Sequence, residues 1–387
     1  MSRPPIDIIV PVHNQLDLVT QCISSIINAK CDIDYEIIAI DDASTDEGVN
    51  IHLRSLRDKG LITLITNVIN LGFTGTVNFG MQVHPDRDVL LLNSDTIVYD
   101  GWLDRIVAAA DGSRVATVNP LTNQIGSHIS CYPMPSGNPA RKMDVSDEML
   151  NQLAAEMNAG KRVDVHTTVG FCMFIRRECL REVGYFDIVN FPVAYGEESD
   201  FCYRARKVGW RHVVAGDVFV THLEGQSFSE RKKMLMAEML LKFRRLHPEV
   251  EDLDATFSRQ DPIRVLRRGL DVGRIKSQLA EQSTLLVLPD DENTPDLGIG
   301  VFAVYCAKSA RIRLCLSGDQ NAYPNIGDFY LPRDISHFNH VMGRIAVDAL
   351  RCSSSCRSAL EGATRGLPGE IGLGPELIEM ENGISRI

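Results

Sequence analysis

Short apolar segments alternate with segments of helical periodicity through the first hundred residues of this chain. The periodicity predicts strands over 6–12, 35–40, 61–66 and 89–92, and helices following Asn14, over 47–58 and over 74–83. Strands that are separated by helices need crossover connections, which set neighbouring strands parallel to one another. The pattern therefore predicts an α/β fold built on a mostly parallel, Rossmann-like central sheet.

The length of the chain indicates more than one domain, because 387 residues exceed the size of an average domain. We predict one α/β domain over residues 1–250. Residues 263–387 form a C-terminal region of unassigned fold, in which strand-like runs indicate a partial α/β domain and segment 340–350 is predicted as a helix. Residues 353–387 are rich in Ser and Gly and weakly patterned, and we expect disorder at their end.

Composition limits the partners of the chain. A net charge of −11 argues against nucleic acid, because binding to a phosphate backbone needs a positive surface. The ten cysteines are scattered, and no second pair stands near Cys352 and Cys356 to complete a zinc site. Free thiols are typical of a reducing compartment, so we expect a cytoplasmic protein.

Membrane contact is expected to be peripheral only. The chain begins with residues 1–5, which run directly into a strand, and no apolar run approaches the ~20 residues of a membrane-spanning helix. A predicted helix over 229–246 carries six basic side chains. Such a helix is most often a solvated face, but it could also hold an anionic membrane surface.

A metal-binding position is predicted at Asn93-Ser94-Asp95-Thr96, which follows the apolar run 89–92. In open α/β sheets, ligands bind at the carboxyl ends of the strands. The Asp95 carboxylate is a hard oxygen ligand of the kind that Mg²⁺ or Mn²⁺ prefers when it bridges phosphates. Taken alone, this tetrapeptide is equally typical of an ordinary polar turn.

Further motifs follow in order along the chain: Pro11-Val12-His13-Asn14, residues 41–46 (Asp-Asp-Ala-Ser-Thr-Asp), residues 70–75 (Asn-Leu-Gly-Phe-Thr-Gly), residues 196–200 (Gly-Glu-Glu-Ser-Asp) with Arg204, and Thr221-His222. Together with residues 93–95, this ordered set resembles the family 2 glycosyltransferases, which are inverting, nucleotide-sugar-dependent enzymes of GT-A fold. The likeness is greatest to the bacterial branch with rhamnosyl- and galactofuranosyl-transferases of cell-surface glycans. It covers about residues 5–247.

The resemblance implies a nucleotide-sugar site made by Pro11, Val12, His13, Asn14, Asp41, Asn70, Gly72, Asn93 and Ser94. It assigns Asp41 as the acceptor of the imide N–H of uracil or thymine. Asp42, Ser44 and Asp46 are expected to cap the following helix instead. Two glycines before the helix at 74 allow close approach of backbone N–H groups to a ligand.

The resemblance also implies a metal site of Asp95 and His222 that holds Mn²⁺ or Mg²⁺. The family motif is often Asp-x-Asp, whereas this chain has Asn93 at the first position. Asparagine is a weaker ligand for a divalent cation than a carboxylate, and His222 would offset that change. A lone histidine after a strand is otherwise usually a satisfied, half-buried residue.

The catalytic base implied by the resemblance is Glu198, at the position where the family usually has aspartate after glutamate. An inverting transferase needs one carboxylate on the acceptor side to take the hydroxyl proton. Negative charge at a helix N-terminus would also explain residues 197–200. Asp200 and Arg204 are expected to form an i,i+4 ion pair.

These observations predict a metal-dependent glycosyltransferase that moves one sugar from a UDP- or dTDP-sugar to a hydroxyl of a glycan or lipid-linked glycan. The family's processive synthases carry a Gln-x-x-Arg-Trp motif and membrane helices, which this sequence lacks. A sugar nucleotidyltransferase and a catalytically inactive nucleotide-sugar or glycan-binding module are the alternatives. The loop 119–147 is expected to set donor choice.

Overall fold

The structure is a computed structural model that describes residues 4–124, 127–132, 143–223, 230–279, 284–290, 301–317, 322–347, 349–363 and 376–379. Of residues 230–233, 355, 363 and 376–379 it describes the backbone alone. The chain divides into two compact units. Unit 1 comprises residues 1–137 and 147–266, and unit 2 comprises residues 138–146 and 267–387.

The elements of unit 1 are β1 (Ile6–Val12), α1 (Leu16–Asn28), β2 (Tyr35–Asp41), α2 (Glu47–Asp58), β3 (Thr63–Thr66), α3 (Gly72–Gly80), β4 (Val89–Leu92), β5 (Thr96–Ile97), α4 (Trp102–Ala109), β6 (Val115–Thr122), α5 (Asp147–Met157), β7 (Arg162–Val165), β8 (Cys172–Ile175), α6 (Arg177–Val183), α7 (Glu197–Lys207), β9 (Arg211–His222), α8 (Glu230–Leu246) and α9 (Val250–Gln260).

The sheet of unit 1 has the strand order β3-β2-β1-β4-β8-β6-β9-β5, with β7 paired to β9. Strands β1 to β4 form a continuous parallel block, and β6 and β9 are parallel to each other. The antiparallel strands are β8, β5 and β7. The predicted α/β fold with a mostly parallel central sheet is therefore confirmed.

Apolar burial explains why β1 and β4 lie inside the sheet of unit 1. All four residues of β4 are buried, and so are six of the seven residues of β1. Strands that are covered on both faces carry such continuous apolar runs instead of alternating ones. Ile9, Ile38 and Leu91 from three adjacent strands join one buried cluster with side chains of α3, α6 and α7.

The parallel block also fixes where the polar motifs meet. Val12 at the end of β1 pairs with Asp41 at the end of β2, and Ile9 of β1 pairs with Leu91 of β4. The carboxyl ends of these strands therefore lie at one edge of the sheet. The three segments that follow them, which begin with His13, Asp42 and Asn93, converge there.

Unit 2 contains α10 (Arg264–Leu279, most of which lies in this unit), β10 (Thr284–Pro289), β11 (Val301–Cys306), β12 (Arg311–Leu316), β13 (Asp328–Tyr330), α11 (Ile335–Arg344), β14 (Ala349–Cys352), α12 (Ser354–Ala363) and β15 (Glu376–Glu379). Its six-stranded sheet has the order β13-β12-β11-β10-β14-β15.

One helix prediction in unit 2 is wrong in its bounds. Segment 340–350 was expected to be one helix, whereas α11 begins at Ile335 and ends at Arg344, and Ala349 already belongs to β14. Between them Ala346 has a φ of 59°, which breaks the helix. The disorder expected at the end of 353–387 falls on residues such as 380–387, which lie outside the described residues, while 354–363 form α12.

Candidate functional site

A cavity of about 260 Å³ opens at the carboxyl ends of β1, β2 and β4, and we call it the strand-end cavity. Six predicted site residues line it: Pro11, Val12, His13, Asn93, Ser94 and Asp95. Four further residues complete the lining: Gln15, Asp42, Phe73 and Thr76. The parallel strands thus bring together three motifs that are distant in the sequence, at the edge where α/β sheets bind ligands.

The two adjacent aspartates, Asp41 and Asp42, make different contacts. Asp41 is only 1% exposed, and its Oδ1 atom accepts the Ser44 N–H at 2.9 Å. Asp42 lines the strand-end cavity instead. Its Oδ1 atom accepts the Leu71 N–H and the Asn67 side-chain N–H, each at 2.8 Å. Consecutive side chains at an extended strand end point to opposite sides. This alternation explains why Asp42, and not Asp41, lines the strand-end cavity.

The helix cap after Asp42 is Asp46 alone. The Oδ1 atom of Asp46 accepts the Gly48 N–H at 2.9 Å, as an N-cap residue does, and this part of the prediction is confirmed. Asp42 does not cap α2, because its carboxylate is bonded to residues 67 and 71. Ser44 bonds to the backbone N–H of Asn14 at 2.9 Å.

Asn14 connects two loops at the rim of the strand-end cavity and does not cap α1. Its Oδ1 atom accepts the N–H groups of Thr45 and Asp46 at 2.8 and 2.9 Å. Its backbone has a φ of 62°, a conformation that asparagine tolerates better than most residues. Asn14 is not among the described residues that line the strand-end cavity. Its side chain instead holds the loop beside that cavity in place.

Asn70 and Gly72 form the turn that begins α3. The Asn70 Oδ1 atom accepts the Gly72 N–H at 2.9 Å, and its Nδ2 atom lies 3.2 Å from the Nδ1 atom of His13. Gly72 has a φ of +69°, and a Cβ atom there would lie 3.0 Å from the Val193 carbonyl oxygen. Only glycine fits this position without strain. The turn brings Phe73 to the cavity wall.

Asp95 and His222 lie side by side at the cavity. The Nε2 atom of His222 is 3.1 Å from the Oδ1 atom of Asp95. Strands β5 and β9 make the contact, since Thr96 pairs with His222 and the Leu223 N–H bonds to the Asp95 carbonyl oxygen at 2.7 Å. The His222 ring stacks on Phe171 at a centroid distance of 5.2 Å.

This donor pair fits a divalent cation. Two adjacent ligands of an octahedral ion at about 2.1 Å stand about 3.0 Å apart, close to the spacing of the two atoms here. A carboxylate oxygen and an imidazole nitrogen are accepted by Mn²⁺, and a carboxylate by Mg²⁺. The remaining positions on such an ion are commonly filled by phosphate oxygens and water.

A second group of metal-type side chains lies elsewhere. Asp7, Glu36 and His84 present ligand atoms close together, but they stand at the amino ends of β1 and β2, opposite the strand-end cavity. The Arg87 guanidinium already neutralises them, at 3.1 Å from Asp7 and 2.7 Å from Glu36. We regard this group as an ion-pair network and not as part of the site.

Glu198 stands in the first turn of α7. Burial raises the pKa of its carboxyl, while bonds from backbone N–H groups, including that of Gly170, and from Glu197 oppose the rise. Burial also raises the pKa of the Glu197 carboxyl, and repulsion from Glu198 adds to the effect. Glu197 is 2% exposed. The pKa of Glu197 is therefore raised the more strongly of the two, because burial and the neighbouring Glu198 carboxylate both disfavour its charged form.

A second cavity, of about 530 Å³, adjoins Glu198, and we call it the α7 cavity. One side of it carries polar and ring side chains: His128, His166, Thr167, Thr168, Tyr195, Glu198, Ser199 and Tyr203. Helices α8 and α9 supply the other side, which is mostly apolar: Met236, Ala237, Leu240, Phe243, Val250, Asp254, Phe257 and Ser258.

Two histidines of the α7 cavity are held in defined positions. The His166 Nε2 atom lies 2.6 Å from the Asp254 Oδ1 atom, and its ring packs on Phe257 at 4.8 Å. His128 bonds through Nε2 to the Thr167 carbonyl oxygen at 2.9 Å. Burial lowers the pKa of His128 to about 4, so this ring is neutral near pH 7.

Residues 169–171 run between the two cavities. Val169 lines the α7 cavity, the backbone of Gly170 lies near the Glu198 carboxylate and lowers its pKa, and Phe171 stacks on His222. A Cβ atom on Gly170 would lie 3.2 Å from the ring of Phe73, which lines the strand-end cavity. One short segment therefore contacts both the proposed base and the metal-type pair.

The predicted ion pair of α7 is present. The Arg204 Nε atom donates to Asp200 Oδ2 at 2.7 Å, and His247 Nε2 lies 2.8 Å from Asp200 Oδ1. His247 lies in the turn between α8 and α9. Its contact with Asp200 therefore holds that turn against α7. Sequence reasoning missed this contact, along with Asp42, Phe73 and the histidines of the α7 cavity. Phe73 lies inside the motif at 70–75 and could have been found there.

Residues 7–184 match the family model of Glycosyl transferase family 2. The chain is 34% identical over 106 residues to an uncharacterized glycosyltransferase of Haemophilus influenzae, a match that covers 27% of this chain and 32% of that protein. It is 27% identical over 177 residues to the Low-salt glycan biosynthesis hexosyltransferase Agl10 of Haloferax volcanii, covering 44% and 53% respectively. The chain thus spans about a third to about half the length of these curated relatives.

Among solved structures, the chain is similar to the mannosyltransferase PcManGT from Pyrobaculum calidifontis in complex with GDP-Man and Mn²⁺. The TM-score is 0.45 at 17% identity, and the match covers 73% of this chain and 76% of that one. In the described part of the chain, no helix has the length and apolar character needed to cross a membrane.

Proposed function

Residues 7–184 belong to glycosyl transferase family 2, and on that premise we propose that this protein is a metal-dependent, inverting glycosyltransferase. It moves one sugar from a UDP- or dTDP-sugar to a hydroxyl of a glycan or lipid-linked glycan. The curated relative named as a hexosyltransferase supports a hexose as the sugar. We place the reaction in the cytoplasm, in the assembly of cell-surface polysaccharide.

The observation that carries the proposal is the position of Gly170 between the two cavities. On one side its backbone lies near the Glu198 carboxylate and lowers the pKa of that group, and on the other side a Cβ atom at this position would lie 3.2 Å from Phe73 of the strand-end cavity. A donor whose diphosphate lies at Asp95 would extend its sugar toward this segment. A hydroxyl in the α7 cavity would then approach from the side opposite the diphosphate, as inversion requires.

In this proposal Glu198 is the catalytic base. The attacking hydroxyl gives its proton to the Glu198 carboxylate while its oxygen forms the new bond to the anomeric carbon. The bond from that carbon to the diphosphate oxygen breaks, and the nucleoside diphosphate leaves with the electron pair. Glu197 stays protonated and orients the base through its hydrogen bond.

Asp42 takes the role that the sequence assigned to Asp41. Its Oδ1 atom is oriented by the Leu71 and Asn67 N–H groups. No described residue bonds to its Oδ2 atom, which can accept the imide N–H of uracil or thymine. His13, Asn93 and Ser94 line the same cavity and contact the rest of the nucleotide. The turn at Asn70 and Gly72 shapes the rim.

Asp95 and His222 would hold the Mn²⁺ or Mg²⁺ ion. When bound, such an ion neutralises the diphosphate and stabilises the departing nucleotide. The protein's part is to fix the two ligands before the donor arrives, through the pairing of β5 with β9. Asn93 leaves one charged ligand at this position, so we expect the diphosphate itself to contribute much of the metal affinity.

A sugar nucleotidyltransferase is the alternative enzyme. It would need basic side chains around the phosphates near the first strand. None of the described residues that line the strand-end cavity is a lysine or an arginine. This lining therefore favours a site in which a bound cation, and not the protein, neutralises the diphosphate.

Hydrolysis and transfer assays test the proposal. The purified chain is incubated with a panel of UDP-, dTDP- and GDP-sugars and Mn²⁺, with and without EDTA, and released nucleotide is measured. We expect slow, EDTA-sensitive hydrolysis of a pyrimidine nucleotide sugar. Nucleotide binding without any turnover, with acceptor extracts present, would identify a binding module. Formation of diphosphate from a nucleoside triphosphate and a sugar phosphate would identify a nucleotidyltransferase.

A further inference from the structure

One side of helix α8 lines the α7 cavity, and another side of the helix is exposed to solvent. Met239 and Phe243 are buried, and Phe243 lines the cavity. Met236 and Leu240 line the cavity too, yet they are 37% and 46% exposed. These two residues therefore stand at the mouth of the cavity, where the buried side of α8 meets its solvent side.

Exposed apolar side chains continue from that mouth across α8. Met234 is 73% exposed and Leu241 is 57% exposed. At 100° per residue, positions 234, 237, 240, 241, 244 and 245 fall on one side of the helix, opposite Met239. We call this side the outer face of α8: Met234, Ala237, Leu240, Leu241, Arg244 and Arg245.

Charge on α8 is opposite in sign to that of the whole chain. The sequence of the helix has six basic and two acidic residues, whereas the chain carries a net charge of −11. Among the described basic side chains, Arg244 lies 3.6 Å from Glu251 of α9, and Lys242 donates to the Asn190 carbonyl oxygen at 2.9 Å. A helix face that mixes large apolar residues with arginine is typical of a helix lying in the interface of an anionic bilayer. Basic residues near such a surface are attracted to its negative potential.

We propose that the outer face of α8 lies on an anionic lipid bilayer, and that the α7 cavity receives the saccharide of an acceptor anchored in that bilayer. The second half rests on the proposed function. Met236 and Leu240 connect the two surfaces, because they border both the cavity and the outer face. A lipid-linked acceptor can keep its chain in the bilayer while its sugar hydroxyl reaches Glu198.

The apolar lining contributed by α8 and α9 favours this acceptor over a free glycan. A site that binds only sugar hydroxyls needs polar partners around the ligand, because unpaired polar groups are costly to bury. The α8 side of the cavity offers Met236, Leu240 and Phe243 instead. A second copy of the chain is a poorer occupant of the outer face, since a two-fold contact would bring its arginines together.

Vesicle flotation tests the membrane half. The full chain is mixed with phosphatidylcholine vesicles with and without phosphatidylglycerol, and the bound fraction is measured. We expect binding to the anionic vesicles. Leu241→Glu and Met234→Glu should each lower the partition coefficient about tenfold, because each removes apolar burial worth about 1.4 kcal/mol and adds a repelled charge. Ile51→Glu, on α2, is the matched control, since Ile51 is 64% exposed and helical.

Absence of flotation by the wild-type chain would overturn the membrane half, as would equal binding by the Leu241→Glu and Ile51→Glu variants. A wild-type dimer that Leu241→Glu dissociates, with no vesicle binding, would assign the face to self-association instead. Circular dichroism melts of the variants check that each is folded.

The acceptor half is tested with the membrane fraction of the source organism and labelled donor sugar. Label that enters the organic-solvent extract supports a lipid-linked acceptor, whereas label found only in water-soluble glycan overturns it. Flotation with no transfer and no donor hydrolysis would count against the proposed function while it supports the membrane surface. Turnover without flotation would support the proposed function and count against the membrane surface.

Discussion

The Nε2 atom of His222 lies 3.1 Å from the Oδ1 atom of Asp95, although the two residues are far apart in the sequence. The short strand β5 directly follows Asp95 and pairs with the last residues of β9. The Asn123 Oδ1 atom accepts the His222 N–H at 2.7 Å, and Phe171 stacks on the imidazole. The pair is thus positioned by backbone pairing and packing before any ligand binds, which lowers the cost of ordering a metal site.

The metal prediction concerns these two side chains. Asp95→Ala should abolish EDTA-sensitive turnover, because it removes the charged ligand of the pair. His222→Ala should weaken the apparent Mn²⁺ affinity by about tenfold to a hundredfold while leaving measurable turnover at high Mn²⁺. Mn²⁺ titrations of donor hydrolysis measure both effects. Full metal-dependent turnover by the Asp95→Ala variant would place the metal elsewhere.

The base prediction concerns Glu198. Glu198→Gln keeps the shape of the side chain but removes the proton acceptor, so kcat should fall by roughly 10²–10⁴. The KM for the donor should change little, because Glu198 lines the α7 cavity and not the strand-end cavity. Glu198→Asp should keep part of the activity.

Glu197→Gln is the matched control for that experiment. In the proposed mechanism Glu197, whose pKa is raised by burial, donates a hydrogen bond to Glu198, and a glutamine amide can donate in its place. This variant should therefore retain most of kcat. A fully active Glu198→Gln beside an inactive Glu197→Gln would move the base to residue 197.

The pH prediction follows from the raised pKa values of the pair. The base must be ionised, so kcat/KM should rise with pH along a limb whose apparent pKa exceeds the usual glutamate value of about 4.3. Since folding raises both pKa values, the pair stabilises the fold most at low pH, and that contribution is lost as pH rises. Glu197→Gln cannot ionise, so its melting temperature should fall less than the wild type's between about pH 5 and 8.

Much of the parallel block could be predicted from the sequence, because buried strands and amphipathic helices carry strong periodic signals. Strand β1 and helix α2 have the predicted bounds. The position of Asp95 could also be predicted, since a strand end in a parallel sheet fixes the edge at which the next residue stands.

Details that depend on side-chain direction or on distant contacts could not be predicted. Asp41 and Asp42 are adjacent and chemically identical, and only the exact end of β2 decides which one lines the cavity. The α7 cavity depends on α8 and α9 packing over α7 through His247 and Asp200, a contact with no local sequence signal. Segment 119–147 was predicted as a loop, yet β6 continues to Thr122. Its residues 125–126 and 133–142 lie outside the described part.

The nucleotide prediction separates the two aspartates. UDP or dTDP should raise the melting temperature of the wild-type chain, whereas GDP or ADP should not. Asp42→Asn should remove this preference, because an amide at that position no longer presents two acceptor oxygens to the imide N–H. Asp41→Asn should keep the preference and lower the melting temperature instead, since Asp41 holds the turn at Ser44. Equal stabilisation by purine nucleotides would contradict the pyrimidine assignment.

The last prediction concerns Gly170, which contacts both sides of the site. In Gly170→Ala the new Cβ atom would lie 3.2 Å from the Phe73 ring, so the ring or the segment must shift by a few tenths of an ångström. A shift of the segment changes the distance between the Gly170 backbone and the Glu198 carboxylate and moves Phe171 against His222. Because positioning errors of this size are costly in catalysis, kcat should fall by about tenfold or more. Gly343→Ala serves as the control, because no atom lies near the Cβ position of Gly343. Gly160→Ala is unsuitable as a control, because Gly160 has a φ of +65° and alanine would be strained there. A variant with unchanged kcat, and with unchanged Mn²⁺ affinity, would show that the segment does not couple the two cavities.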